Sequence, residues 1–111
     1  MKRILLCLMG ALFATGYLFA KNNDEKMNVM SYNIRYDNSG DKDNQWKFRK
    51  EFAVDLVKFH EADVFGAQEV LSNQLNDLLD RLPEFAYVGV GREDGKTKGE
   101  YAPIFYRKDR F

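Results

Sequence analysis

Two stretches decide the fold of this chain: MSYNIRY at residues 30–36 and FGAQE at residues 65–69. Each is an apolar, strand-like run that ends on an oxygen-bearing side chain, Asn33 in the first and Glu69 in the second. A segment with helical periodicity separates them, so the pattern indicates two parallel strands joined by a helix. The carboxyl ends of such strands meet at one rim of a sheet, where open α/β sheets bind ligands.

The residue types at this rim suit a divalent metal ion. Mg²⁺ prefers oxygen ligands and usually keeps several waters, so one amide and one carboxylate can form part of its site. Each residue also has a simpler interpretation on its own. An Asn near a strand end is often a turn former, and a Glu after a strand is often a surface residue. The two residues at matched strand ends favour the metal site.

The first twenty residues have the pattern of a secretory signal peptide. Lys2 and Arg3 precede an uncharged, Leu-rich run at residues 4–20. Cleavage after Ala20 or Gly16 is the interpretation we favour, and an uncleaved anchor is the alternative, since a membrane span needs about 17 apolar residues. The pattern predicts an exported protein, periplasmic or extracellular, with no membrane span after cleavage. Its predicted parts are a signal peptide at 1–20, a polar linker at 21–26 and a domain at 27–111.

Cysteine and charge usage narrow the class of protein. Cys7 is the only cysteine and lies in the leader; Leu6 precedes it where lipid attachment would require a small residue. The mature chain therefore has no disulfide framework. Lys2 and Arg3 are two of the 17 basic residues, so the mature chain keeps 15 against 17 acidic ones. This balance gives no strong nucleic-acid signature, which would be a clustered basic surface.

Periodicity and turn residues predict the element order β-α-β-α-β-β. Along the first helix Phe48, Phe52, Leu56 and Phe59 recur at helical spacing, which predicts that they face the sheet. Phe52 in particular is expected in the core. Strands are expected at 27–35, 64–68, 87–91 and 101–107, and helices at 46–60 and 72–82, the second capped by Ser72 and the last two strands forming a hairpin.

Two residues of the first helix have alternative roles. Trp46, with the nearby phenylalanines, is either the start of the packed helix or an aromatic substrate platform, and packing is favoured. His60 is the only histidine. It ends the helix, where it can complement the negative end of the helix dipole, so we predict a structural role.

The predicted sheet is incomplete. Four strands with two helices on one side leave a large apolar face open, which monomers rarely tolerate. The sequence ends at residues 108–111, where a turn is about to lead into another strand. We therefore expect either a fragment of a larger fold or a partner over this face, and self-association through the open sheet is one form of the second alternative.

Three motifs together resemble the endonuclease/exonuclease/phosphatase (DNase I-like) family. They are MSYNIRY, FGAQE and GEYAPIFYRKDRF, the last at residues 99–111, and the loop at 37–46 is similar to the secreted bacterial branch. The resemblance covers residues 27–111 and implies an α/β (α+β) fold, the first half of a four-layer α/β/β/α sandwich. It also implies hydrolysis of a phosphodiester or phosphomonoester by metal-activated water, with Mg²⁺ or Mn²⁺ as cofactor.

The resemblance also assigns roles to residues. It implies that Glu69 binds the metal, that Asn33 orients the metal or a phosphate oxygen, and that Gln68 supports them. Glu100 and Tyr101 are implied on the substrate side. The family's later motifs, a His followed by Asp-x-Asn and a terminal Ser-Asp-His, have no counterpart among the 111 residues. We therefore identify no catalytic residue and expect no turnover by this chain. The alternative is a catalytically dead, secreted binding module.

Overall fold

The computed structural model describes residues 26–111, where four strands form one mixed sheet with two helices on one face. The predicted element order is confirmed, and a 3₁₀ segment at Ser39–Asn44 precedes the first helix. The predicted signal peptide and all of the linker except Lys26 lie outside the described residues. The elements are β1 (Val29–Asn33), α1 (Trp46–Phe59), β2 (Val64–Gln68), α2 (Ser72–Arg81), β3 (Phe85–Val88) and β4 (Ile104–Arg107).

The sheet has the strand order β1-β2-β4-β3. The β1 and β2 strands are parallel, as predicted, and their register pairs Asn33 with Gln68. The β4 strand runs antiparallel to β2 and to β3, so the predicted hairpin is confirmed. Because β1 and β2 end at the same level, Asn33 and Glu69 reach one rim of the sheet.

The core lies between the sheet and the two helices. Phe65 and Phe105 are fully buried on adjacent strands, and their rings stack with centroids 4.5 Å apart. The β2 strand alternates buried with half-buried residues, which is the period-2 pattern of a sheet covered on one face, and Phe105 is the buried residue of β4. The helices cover this face with Val54, Val57, Leu75 and Leu78, each at most 3% exposed.

The predicted orientation of α1 is wrong. Phe48, Phe52 and Phe59 are 63%, 68% and 81% exposed, so Phe52 is not in the core. The helix carries a second apolar set on another side, made of Ala53, Val54 and Val57 with Trp46 at the helix start. Residues five apart, such as Phe52 and Val57, lie about 140° apart around a helix, so the large aromatic residues face outward. The buried set is Trp46, Ala53, Val54 and Val57, so packing is confirmed for Trp46.

The second face of the sheet is uncovered within the described residues, as predicted. Val88 and Ile104 are cross-strand partners and are 55% and 48% exposed. Val29, on β1, is 66% exposed. Its cross-strand partner is Val64, and Gly66, two residues further along β2, is the partner of Ile104, so Val29 lies on the same face as Ile104. These three exposed apolar side chains therefore form one group on the face of the sheet opposite the helices.

Two strand predictions near the hairpin need correction. The third strand is Phe85–Val88 and not 87–91, because Phe85 already pairs with Arg107 and Gly89 turns the chain with a φ of 142°. The fourth begins at Ile104 and not at Tyr101. Pro103 precedes it and lacks the N–H that a continuous ladder needs. Tyr101 instead forms an isolated bridge with Val70.

Two element ends also differ from the prediction. The β1 strand stops at Asn33, although Ile34 still donates to Gln68, because Arg35 has a φ of 56° and turns the chain away. Ser72 is the first residue of α2 and not its cap. Leu71 occupies the cap position, and its N–H donates 3.0 Å to the Gln74 side chain. The helix start is therefore stabilised from within.

The packing predicts opposite outcomes for two truncations. Leu78→Ala removes a side chain that is 1% exposed and should lower the free energy of unfolding by about 2–5 kcal/mol. Phe52→Ala, its matched control on α1, should change it by less than about 0.5 kcal/mol, as is usual for surface sites. Urea unfolding followed by the fluorescence of Trp46 measures both. Equal losses in the two variants would contradict the outward orientation of the α1 phenylalanines.

Candidate functional site

The rim where β1 and β2 end is organised around the Glu69 carboxylate. The Asn33 Nδ2 donates to Glu69 Oε1 at 2.9 Å, and the Tyr36 backbone N–H donates to Glu69 Oε2 at 3.3 Å. Each carboxylate oxygen thus accepts one hydrogen bond from the segment that follows β1. The two residues predicted to form the site are in direct contact.

The backbone on both sides of this contact is in the left-handed region. Glu69 has a φ of 58° and Arg35 a φ of 56°, a conformation that costs a non-glycine residue about 1–2 kcal/mol. Asn33 helps to hold the second turn, because its Oδ1 accepts the Arg35 N–H at 2.9 Å. Asn33 is therefore a turn former and a partner of Glu69 at once, so the two interpretations of this residue do not exclude each other.

The surroundings of Glu69 keep its carboxylate ionised. The Asn33 hydrogen bond is the main cause that lowers the pKa of Glu69 below its ordinary value, and the Tyr36 N–H and the charge of Arg35 act in the same direction. Partial burial opposes them. An ionised carboxylate is the form that binds a hard cation.

A buried amide fixes the loop that follows β1. Gln74 is fully buried on α2, and its Oε1 accepts the N–H groups of Asp37 and Leu71 at 3.1 and 3.0 Å. Its Nε2 donates to the Arg35 carbonyl at 2.8 Å. A buried polar group left without partners costs about 1–3 kcal/mol, so Gln74 and this loop hold each other in place. Sequence reasoning missed Gln74, whose polarity on a helical face gave no signal.

A second missed residue holds the same segment from the other side. Arg49 of α1 donates to the carbonyls of Ile34 and Arg35 at 2.8 and 3.3 Å and to that of Asn44 at 2.7 Å. The chain turns away from the sheet at these two carbonyls, where no strand partner can take their hydrogen bonds. In sequence, Arg49 belongs to a run of basic residues typical of a solvated helix face, so nothing there marks this role.

The remaining predicted residues line one cleft with Asn33 and Glu69. The cleft has a volume of about 480 Å³ and is lined by Gln68, Glu100 and Tyr101, together with Val90, Arg92 and Ala102. Tyr101 is 4% exposed and is fixed by its bridge to Val70, whose carbonyl accepts the Tyr101 N–H at 2.7 Å. The Gln68 Nε2 donates to its own strand at Gly66. The structure thus brings all five predicted site residues together.

His60 and Arg107 lie outside this cleft. His60 is the C-cap of α1, where it was predicted, and Arg107 pairs with Asp109 at 3.1 Å. The Arg107 N–H donates to the carbonyl of Asp63, at the start of β2 and so at the opposite rim. Neither side chain contacts the Asn33–Glu69 pair.

The donor set fits a water-rich metal site only in part. Among residues 26–111 no three His, Cys, Asp or Glu side chains converge, so Glu69 is the carboxylate that would hold the ion. Mg²⁺ tolerates this because it usually binds through one or two carboxylates plus waters and substrate phosphates. Asn33 presents its amide nitrogen to Glu69, so direct ligation through its oxygen requires the amide to turn.

The fold is shared with solved structures. An endonuclease/exonuclease/phosphatase from Bacteroides vulgatus superposes with a TM-score of 0.70 at 57% identity, over 71% of this chain and 30% of that one. A Bacteroides thetaiotaomicron protein of the same family superposes with a TM-score of 0.73 at 44% identity, over 75% of this chain and 31% of that one. The described part of the chain thus resembles proteins of the endonuclease/exonuclease/phosphatase family in both fold and sequence.

Two further relatives show the range of named activities in similar proteins. A Bacteroides thetaiotaomicron mannosyl-6-phosphatase superposes with a TM-score of 0.72 at 42% identity, over 76% of this chain and 32% of that one. The Ccr4 3′-5′-exoribonuclease subunit of the CCR4-Not complex from Mycosarcoma maydis is 29% identical over 106 residues, which cover 78% of this chain and 16% of the relative. No family model matches the sequence. The chain thus spans about a third or less of the length of each of these relatives.

Within residues 26–111 no helix is both long and apolar enough to cross a membrane.

The Asn33–Glu69 contact predicts a pH effect. Because the pKa of Glu69 is lowered in the folded state, its contribution to stability is present above the ordinary glutamate pKa. That contribution is lost as the pH falls through the lowered value. Asn33→Ala removes the hydrogen bond that is the main cause of the lowered pKa. In a ¹³C NMR titration of the carboxyl groups, the titration midpoint of Glu69 should therefore rise towards the ordinary glutamate pKa. Asn73→Ala, which removes an exposed amide bonded to Asp37, should leave it unchanged. An unchanged midpoint in Asn33→Ala would contradict this account.

Proposed function

We propose that this chain carries the metal-binding part of a hydrolase centre that cleaves phosphate esters. The observation that supports this best is the contact between Asn33 and Glu69 at the matched ends of two parallel strands. The family resemblance gives the reaction class, and the rim gives an ionised carboxylate and a positioned amide where a cation and a phosphate can meet. Asn33, Gln68, Glu69, Glu100 and Tyr101 are the residues proposed to form this part of the site.

The residues of the rim have distinct proposed roles. A bound Mg²⁺ or Mn²⁺ would neutralise charge that develops on the phosphoryl oxygens. Glu69 holds the ion, while Asn33 and the Tyr36 N–H orient the carboxylate. Gln68 lies beside them on β2. Glu100 and Tyr101 form the wall across the cleft, where the group attached to the phosphate would lie. We propose that the acid–base groups come from outside this chain, so that the chain alone does not turn over substrate.

The substrate class follows from the shared chemistry of the relatives. One is a mannosyl-6-phosphatase and another an exoribonuclease, and both names describe the cleavage of a phosphate ester. The slight negative charge of the mature chain favours a small phosphate ester over a nucleic acid, because nonspecific binding to nucleic acid depends on basic contacts to the backbone. We also propose export of the protein, on the basis of its N-terminal leader pattern.

Metal binding tests this proposal on the chain itself. Glu69→Gln keeps the size of the side chain and removes its charge, so Mn²⁺ should bind at least tenfold more weakly, since even outer-shell partners of metal ligands contribute about 10–100-fold. Electron paramagnetic resonance of free Mn²⁺ measures the affinity, and Trp46 fluorescence checks the fold. Glu84→Gln, an exposed change at the opposite rim, is the control. Equal Mn²⁺ affinity in Glu69→Gln and wild type would overturn the assignment. In the complete protein, Glu69→Ala should abolish metal-dependent hydrolysis.

A second candidate function is binding through the open sheet face. Val29, Val88 and Ile104 are between 48% and 66% exposed on the side opposite the helices, and we propose that a second copy of the chain covers them. Ile104→Lys places a charge on this face and should shift the chain towards the monomer in sedimentation velocity. Phe52→Lys, an equally apolar site on the outside of α1, should not. A chain that is monomeric before either substitution would remove this candidate.

A further inference from the structure

The cleft beside Glu69 contains a cation that neither the sequence motifs nor the metal proposal uses. Arg92 lines the same cleft as Asn33 and Glu69. Among the described residues that line the cleft, Arg92 is the one with a positive charge. Its side chain is 69% exposed, whereas that of its partner Glu100 is 28% exposed. The guanidinium therefore stands at the mouth of the cleft and the carboxylate lies further inside.

The loop around Arg92 is held by its own backbone. The Arg92 N–H donates to the Glu100 carbonyl at 3.1 Å, which closes the loop at its base. Within the loop, Asp94 Oδ1 accepts the N–H groups of Lys96 and Lys98 at 2.8 and 3.0 Å. The hydrogen bonds from Lys98 and Lys96 are also the main cause that lowers the pKa of Asp94. The backbone of Arg92 is thus fixed relative to the cleft, and its side chain can exchange partners.

The contact that Arg92 makes leaves capacity for an anion. Its Nη1 lies 3.1 Å from Glu100 Oε2, a single contact from a group with five N–H donors in a planar fork. An ion pair at this exposure contributes little to stability. An incoming phosphate can therefore replace Glu100, or share the guanidinium with it, at low cost. Arginine matches phosphate oxygens in two-pronged geometry, which a lysine cannot do.

The charges of the cleft require such a residue. Glu69 and Glu100 give the bare cleft two negative charges against one positive charge on Arg92. A phosphate ester is itself an anion and would be repelled. A divalent ion at Glu69 reverses the sign at one end, and Arg92 compensates Glu100 at the other. Removal of Arg92 would leave the mouth of the cleft with no positive charge to attract the phosphate.

We propose that Arg92 binds a non-bridging phosphoryl oxygen of the substrate and exchanges Glu100 for it when the phosphate enters. This rests on the proposed function, since it places the phosphate between the Glu69 metal site and the mouth of the cleft. It adds a substrate-binding residue on the loop after β3. Glu100 then pairs with the Arg92 guanidinium only while no phosphate is bound. The anion that Arg92 recognises is a phosphoryl group, whatever is attached to it.

Titration of the chain with inorganic phosphate tests this, with and without Mg²⁺ and at constant ionic strength. The NMR shifts of the Arg92 Nε–H and the Glu100 amide report phosphate binding, and those of Asn33 and Glu69 report the metal. Arg92→Gln should weaken phosphate binding at least tenfold, because a charge-assisted hydrogen bond of this kind is lost. Arg92→Lys should fall between Arg92→Gln and wild type.

Two further variants separate this role from general effects. Glu100→Gln frees the guanidinium, so phosphate should bind at least as tightly as in wild type. Arg107→Gln removes a cation at the opposite rim and should change nothing. Phosphate affinity of Arg92→Gln within twofold of wild type would overturn the proposal, and so would a Glu100→Gln chain that binds no phosphate at millimolar concentration.

Failure of the metal site gives a different result. If Mg²⁺ causes no shift at Asn33 or Glu69, the proposed metal role of Glu69 fails. The metal-free titration of Glu100→Gln then still decides whether Arg92 binds phosphate, because the cleft of that variant has one negative charge, on Glu69, against the positive charge of Arg92. The two proposals are therefore judged by separate signals in one experiment.

Discussion

The parallel register between β1 and β2 is the constraint on which the candidate site depends. It places Asn33 beside Gln68, so that Glu69, the residue after β2, reaches the Asn33 amide. A shift of one residue would move every side chain of a strand to the other face, and Phe65 would leave the core. The burial of the core therefore fixes the geometry of the rim, and one core residue, Tyr101, also lines the cleft beside it.

The turn that follows β1 needs a second set of constraints. Its carbonyls and N–H groups leave the sheet and find partners on the helices, through Arg49 of α1 and Gln74 of α2. Both helices thus contribute one polar side chain to the same short segment, which in turn supplies the Tyr36 N–H to Glu69. Helix packing and site geometry are coupled by hydrogen bonds as well as by apolar contact.

The sequence predicted the order of the elements, the parallel pair and the meeting of Asn33 with Glu69, because these depend on local period and on strand ends. The other three residues of the cleft, Gln68, Glu100 and Tyr101, were implied by the family resemblance. The facing of α1 was not predictable, since Phe52 and Val57 belong to two apolar sets on opposite sides of one helix. The phenylalanine set suggested the core, but the set with Val54 and Val57 is the one that is buried. The roles of Gln74 and Arg49 depend on partners more than ten residues away, and single-sequence patterns do not report such pairs.

The backbone conformation of Glu69 is unfavourable for a residue with a side chain, yet the proposed chemistry needs that side chain. Its φ of 58° is one that glycine adopts without strain, so the carboxylate is present at a position where the main chain would favour the residue with no side chain. The protein thus retains a local conformational penalty at the one acidic group of the rim that contacts Asn33. Substitution by glycine would relieve this penalty, but it would also remove the hydrogen bonds of the carboxylate and the group on which the proposed hydrolysis depends. The rim of this sheet is therefore a place where a more stable variant is expected to be a less capable one.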